Sequence, residues 1–177
     1  MNMKFELAAD SFIEVFGIRL FRVRALVSFG LVEKGDLGGY VEKGVNISED
    51  GDAWVSGNAR VYGNAWVSGN ARVYGNARVS GDAWVSGNAQ VSGNAQVSGN
   101  AAIFWASCVG SENGTLTVFR AKTGLEVTRG CFHGSVSAFM DAVAEKHGAD
   151  SKIGREYSLL IEVAKSRIEK SAKETAC

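Results

Sequence analysis

The dominant pattern along the chain is a six-residue alternation of small, polar and apolar positions. From Gly51 the sequence reads GDAWVS GNARVY GNAWVS GNARVY GNARVS GDAWVS GNAQVS GNAQVS GNAAIF, nine uninterrupted units of G-[N/D]-A-x-[V/I]-[S/Y/F]. The apolar phase recurs at every sixth residue from Val55 to Val97 and Ile103, and the small phase from Ala53 to Ala101. A period of six with a glycine in every unit does not build the 3.6-residue stripe of a helix. In the triplet x-Val-y the valine points to one side of an extended segment and its neighbours to the other. The Gly-Asn or Gly-Asp pair supplies the turn, since both residue types tolerate positive φ. One strand and one turn make one side of a triangular coil, so eighteen residues close a full turn. The competing reading, a flat antiparallel sheet of very short hairpins, calls for units of unequal length.

Folding the repeat at eighteen predicts three outward faces. The first carries Trp54/Arg72/Gln90 and Ser56/Tyr74/Ser92. The second carries Arg60/Arg78/Gln96 and Tyr62/Ser80/Ser98, and the third Trp66/Trp84/Ala102 and Ser68/Ser86/Phe104. Corner columns such as Asn58/Asn76/Asn94 are placed to form amide ladders.

The flanks follow other periods. Lys4–Leu7 and Gly17–Leu26 alternate as strands, Lys34–Tyr40 is rich in turn residues, and Val41, Val45 and Ile47 begin an irregular first coil with Ile47 in the alanine phase. Arg19, Arg22 and Arg24 form a basic strip whose simplest reading is a solvated face paired to Glu6, Asp10 and Glu14. After the repeat, Thr115–Arg120 and Leu125–Arg129 predict a hairpin. A helix is expected from Val136 to His147, N-capped by Ser135 or Ser137 and stopped by Gly148. A second helix, from about Lys152 to Ala172, has the stripe Tyr157, Leu160, Ile161, Ala164, Ile168.

The repeat resembles the hexapeptide-repeat left-handed β-helix. The resulting expectation is a mainly β chain with an α tail: an N-terminal cap over residues 1–50, a left-handed parallel β-helix over 51–105, and a capping ββαα domain over 106–177. The β-helix has about three regular coils plus one irregular N-terminal coil. The whole chain also resembles phage and prophage hexapeptide-repeat proteins. That resemblance rests on RVRAL and KGDLGGYVE, the G-N-A-x-V units, and VGSENGTLTVFR, VTRGCFHGS and HGADSKIGREY. It brings no activity with it, and implies a viral accessory gene product acting on the host.

Composition narrows this further. Nineteen Lys plus Arg balance nineteen Asp plus Glu, so no global charge points to nucleic acid or membrane. Cys108, Cys131 and Cys177 are scattered, which fits a reducing cytoplasm, here that of an infected cell. No signal peptide or membrane span is expected.

Many proteins of the resembled fold are acyltransferases that use a histidine beside the coil as base. Here both histidines, His133 and His147, lie in the tail. Acyltransferase chemistry therefore stays a minor alternative, and two histidines do not make the three-His zinc site of the anhydrase version. No metal, cofactor or catalytic set is expected. DNA mimicry is disfavoured, because residues 52–105 hold three Arg and two Asp. Direct DNA binding is not expected either.

The best binding candidates are Arg60, Tyr62, Arg72, Tyr74 and Arg78, which combine donors with stacking surfaces suited to a phosphate or nucleotide. The bland alternative for Arg72 is a cation–π contact with Trp54. Trp66, Trp84 and Phe104 form an apolar column expected to be covered by another subunit, in a trimer, or by the tail. In the tail, Arg129, Cys131 and His133 form a weaker candidate site. Cys131 and His133 stand two apart, the spacing of one strand face, although a buried cysteine at a junction is the simpler reading. The leading expectation is a non-enzymatic, oligomeric phage accessory protein that antagonises a host component, by binding a protein or sequestering a nucleotide signal. A structural or assembly spacer of the virion is the rival.

Overall fold

The computed structural model describes residues 3–174. The chain is mainly β and divides into two compact units, Met1–Asn100 and Ala101–Cys177. Cys177 lies outside the described residues.

The first unit begins with β1 (Phe5–Val15), β2 (Ile18–Ala25) and β3 (Leu37–Val41), followed by a 3-10 turn at Gly44–Asn46. Eight short strands follow at the valine of each repeat: β4 (Trp54–Val55), β5 (Arg60–Val61), β6 (Trp66–Val67), β7 (Arg72–Val73), β8 (Arg78–Ser80), β9 (Trp84–Val85), β10 (Gln90–Val91) and β11 (Gln96–Ser98). They stack in parallel, so that Trp54 pairs with Arg72, Arg60 with Arg78 and Trp66 with Trp84. This is a β-solenoid with a coil of eighteen residues. The N–H of residue i donates to the carbonyl of i+17, as from Trp54 to Ala71 (3.1 Å) and from Arg60 to Ala77 (2.9 Å). The repeated valines, Val55 to Val97, are fully buried, and the alanines from Ala53 to Ala95 are at most 1% exposed. Each buried valine contributes about 1.5–3 kcal/mol. The corner columns form single amide steps: the Asn58 amide donates to Asn76 (3.4 Å), Asn64 to Asp82 (3.1 Å) and Asn70 to Asn88 (3.1 Å), while the Asn58/Asn76 step is not continued to Asn94.

The N-terminal segment is continuous with the solenoid rather than a separate layer. One face is a six-stranded sheet in the order β1-β2-β3-β5-β8-β11, in which β3 runs parallel to β5 and the β1–β2 hairpin is antiparallel. The first coil is longer than expected. Val41 pairs with Val61 and Ile47 bridges Val67, both twenty residues apart. Ile47 therefore enters the valine column and not the alanine phase; the two extra residues are absorbed in the bend between it and Val55. Val45, expected in the same coil, is 75% exposed because it sits on the 3-10 turn. Of the basic strip, Arg24 pairs with Glu6 (3.0 Å) and Arg19 with Glu14 (3.9 Å).

A first coil has no coil beneath it, so its polar backbone needs other partners. Buried Asn46 donates from its amide to the carbonyls of Ala65 (2.7 Å) and Gly63 (3.2 Å). Glu42 accepts from the Gly63 N–H (2.7 Å). Lys4, 5% exposed, donates from Nζ to the carbonyls of Ser48 (2.5 Å), Ala53 (3.1 Å) and Gly51 (3.3 Å). Burial holds the Lys4 ammonium below the usual lysine range, although Glu49, Asp52 and Asp50 pull the other way. Lys4→Met strands these carbonyls and is expected to cost about 1–3 kcal/mol at neutral pH. The unfolded chain binds the Lys4 proton more tightly than the folded one. Between the lowered folded value and 10.5, wild-type stability therefore gains with pH. Urea denaturation from pH 7 to 10 should show the gap between wild type and Lys4→Met widening; a constant gap would contradict the burial of a charged Lys4.

The far end closes differently. The Trp84 N–H, which regular stacking would give to a backbone carbonyl, donates instead to the Asn100 side chain (2.7 Å). Asn100–Ala102 is a 3-10 turn, and the ninth repeat makes no rung. Its Ile103 and Phe104 start β12 (Ile103–Val109) of the second unit, because WASCV follows where another Gly-Asn turn would be needed. The third face is thus the two-stranded pair β6–β9, and Ala102 and Phe104 do not extend its columns.

The second unit continues with β13 (Gly114–Ala121), β14 (Gly124–Arg129) and β15 (Phe132–Ser135), then α1 (Val136–His147) and α2 (Lys152–Glu174). It is a four-stranded antiparallel sheet in chain order with two helices, so the ββαα expectation was two strands short. The missing strands are the diverted ninth repeat and the segment read as a turn into α1. Ser135 caps α1 by accepting from the Ala138 N–H (3.2 Å), and Gly148 ends it at φ 85°. Phe139 and Val143 pack with Leu116, Val118, Val127, Tyr157, Ile161, Ala164 and Ile168 in one core. Among the described residues, no helix is long and apolar enough to cross a membrane.

Candidate functional site

The first face of the solenoid carries a groove of about 420 Å³. Arg72, Tyr74, Gln90 and Ser56 contribute from the repeat, Leu31, Val32 and Asp36 from the segment between β2 and β3, and Leu37 from the start of β3. The repeat fixes the polar wall: register sets Arg72 between Trp54 and Gln90 in adjacent rungs. The opposite lip is a tight loop. Phe29 and Val32 exchange backbone hydrogen bonds of 3.0 and 2.8 Å, with Gly30 at φ 52° between them. The loop is tied down further by the Gly35 N–H to the Ala25 carbonyl (2.8 Å) and by the Lys34 N–H to the Ser28 hydroxyl (3.0 Å). Leu31 is left 81% exposed at the tip and Leu37 50% exposed at the start of β3.

Trp54 is not the partner expected for Arg72. Its ring is buried against Phe29, edge-on at 5.4 Å, and forms the floor of the groove. Arg72 is half-buried and, among the described residues, has neither an ion pair nor a hydrogen bond from its guanidinium. Asp36 lines the same groove without pairing to it; one carboxylate oxygen accepts from the Glu33 N–H (2.9 Å). A cation and an anion thus face one concavity without neutralising each other, beside exposed leucines and a tyrosine. A ligand with an anionic group, hydroxyls and an apolar ring matches that set.

The other predicted binding residues lie elsewhere. Arg60, Tyr62 and Arg78 belong to the second face. There Arg60 and Arg78 are stacked in adjacent rungs without counter-ions among the described residues. Their column continues through Tyr40 to Arg22, whose guanidinium lies 5.4 Å from the Tyr40 ring centre and donates to the Gly38 carbonyl (3.0 Å). The five residues singled out in the sequence therefore form two surfaces. On the third face Trp66 and Trp84 stack at 5.4 Å and remain 41% and 48% exposed, with the Trp84 indole N–H donating to the Ser68 hydroxyl (3.1 Å). Phe104, expected in the same column, pairs with Val118 and packs on the core of the second unit.

In the second unit Arg129 and Cys131 line a separate hollow of about 370 Å³, together with His147 and not His133. Cys131 is exposed, not buried as the simpler reading had it, and sits in the turn after Gly130 (φ 56°), so strand alternation does not relate it to His133. His133 lies 2.8 Å from Glu126 and its ring stacks 6.4 Å from Phe119. His147 was the residue to find. It stands four positions after buried Val143, on the same face of α1. Among the described residues, no three His, Cys, Asp or Glu side chains gather as metal ligands.

Residues 53–69 and 71–87 match a family model described as the YdcK beta solenoid repeat. The chain is similar to that family over these repeats, and the likeness concerns the solenoid alone. No curated protein matches the sequence.

Proposed function

We propose that this chain is a non-enzymatic binding protein whose first-face groove takes a nucleotide, with Arg72 holding a phosphate. The carrying observation is that Arg72 and Asp36 line one groove with a fixed lip and, among the described residues, neither forms an ion pair. Arg72 supplies parallel N–H donors to phosphate oxygens. The Asp36 carboxylate is an acceptor for ribose hydroxyls, and Leu31, Leu37 and Tyr74 cover the base. The resemblance to phage proteins gives the biological form of the reading: sequestration of a host defence signal by an accessory protein. The exposed Trp66–Trp84 pair supports self-association as part of it.

Calorimetry with cyclic nucleotides, nucleoside mono- and diphosphates and ADP-ribose tests the reading. One site per chain is expected for at least one of them. No heat across the panel at millimolar ligand overturns it.

A further inference from the structure

The hollow of the second unit is built differently, and its chemistry points to a second ligand. Its floor is apolar and aromatic, with Phe132, Phe139 and Tyr157 among its lining. Those rings are fixed by edge contacts, Phe139 lying 5.3 Å from Phe132 and 5.1 Å from Tyr157. Arg129 enters beside them with its side chain only 12% exposed. Its Nε donates to the Tyr157 hydroxyl (2.9 Å) and its Nη2 to the Val109 carbonyl (3.2 Å), so the guanidinium plane is held on one side. The other side is unmet. Nη1 makes no hydrogen bond among the described residues, yet it is not sealed from solvent. The backbone has been shaped around it: a Cβ at Gly114 would fall 2.4 Å from Nη1.

The nearest anion is a loose one. Glu112 sits on the turn between β12 and β13 and is 68% exposed. Its two carboxylate oxygens stand 3.8 Å from Arg129 Nη1 and 3.9 Å from Lys146 Nζ, beyond hydrogen-bond reach of either. A carboxylate held between two cations at that distance marks the place of an anion without saturating it.

We infer that this hollow is a binding site for a small carboxylate bearing an aromatic or branched aliphatic group. Arg129 and Lys146 hold its carboxylate, the Phe132–Phe139–Tyr157 floor takes its apolar body, and Glu112 occupies the anion position when the site is empty. A small carboxylate suits it better than a nucleotide: the two cations flank an apolar, aromatic floor, so one anionic group and one apolar body use the whole hollow. The inference is independent of the first-face groove, since every residue it uses lies in the second unit.

Phenylacetate is the probe, added to the full chain and followed by amide NMR shifts. Binding is expected to shift resonances of the turn at 110–113 and of α1. Glu112→Gln removes the competing carboxylate from an exposed position and should tighten binding by about tenfold. Lys146→Ala, also exposed, should weaken it several-fold. The neutral analogue phenylacetamide should gain nothing from Glu112→Gln. Equal tightening of the amide, or no shift in this region with either ligand in wild type and Glu112→Gln, overturns the proposal. Nucleotide titration of the same samples reads the first-face groove separately, so failure of one site is distinguishable from failure of the other.

Discussion

Gly75→Val is expected to destabilise the first unit by about 3 kcal/mol or more, so that it melts well below the parent chain. Gly75 sits at a corner with φ 72°, a region where a β-branched residue is an outlier. Strain alone costs about 1–2 kcal/mol. The second cost comes from stacking. A Cβ at Gly75 would lie 3.0 Å from the Gly93 nitrogen of the coil above and 3.4 Å from its carbonyl oxygen. Those are backbone atoms in a ladder, and they do not move without lengthening hydrogen bonds such as the one from the Asn76 N–H to the Gly93 carbonyl (2.9 Å). Valine adds two methyls to that clash. Gly17→Ala separates the two costs, since Gly17 has φ 78° but nothing within 4 Å of its Cβ position. It should lose about 1 kcal/mol. Urea denaturation followed by circular dichroism measures both, and similar losses at the two positions would show that the coils do not stack this tightly.

Arg72→Ala should weaken nucleotide binding in the first-face groove by about tenfold to a hundredfold, the equivalent of about 1.5–3 kcal/mol for a charged hydrogen-bond donor. Arg72 has no internal partner among the described residues, so removing it strands no buried group and should leave stability within about 0.5 kcal/mol of wild type. Arg78→Ala is the control. It removes the same charge from the same solenoid on another face. Equal loss in both variants would mean diffuse attraction instead of a site. Unchanged affinity in Arg72→Ala would remove the phosphate from the groove altogether.

The solenoid was legible because its physics is periodic. Once the unit was known to be six residues, the pairing of Trp54 with Arg72, Arg60 with Arg78 and Trp66 with Trp84 was arithmetic. The places that escaped are where the period breaks. Nothing in Ser48–Gly51 announces that the first coil is two residues longer, and Ile47 moved column as a result. Phe104 was assigned by phase to the tryptophan face, although the lack of a following glycine was a sign that the chain runs on as a strand. The groove was half readable. Arg72 and Tyr74 follow from columns, but Leu31 and Asp36 come from a non-repetitive loop whose docking depends on Phe29 meeting Trp54. The capping side chains Lys4 and Asn46 had no signal, because their partners are backbone carbonyls left unpaired only by the end of the stack.

Those caps make the length of the solenoid a quantised property. Asn46 serves the carbonyls below the third face, and at the other end Asn100 serves the Trp84 N–H on that same face. Eighteen added residues return both caps to one side of the triangle. Six or twelve rotate one cap by a third or two thirds of a turn and leave it facing a strand it was not built to close. Growth of such a protein by duplication therefore proceeds in whole coils. The repeat in its sequence is six residues long, but the step open to its evolution is eighteen.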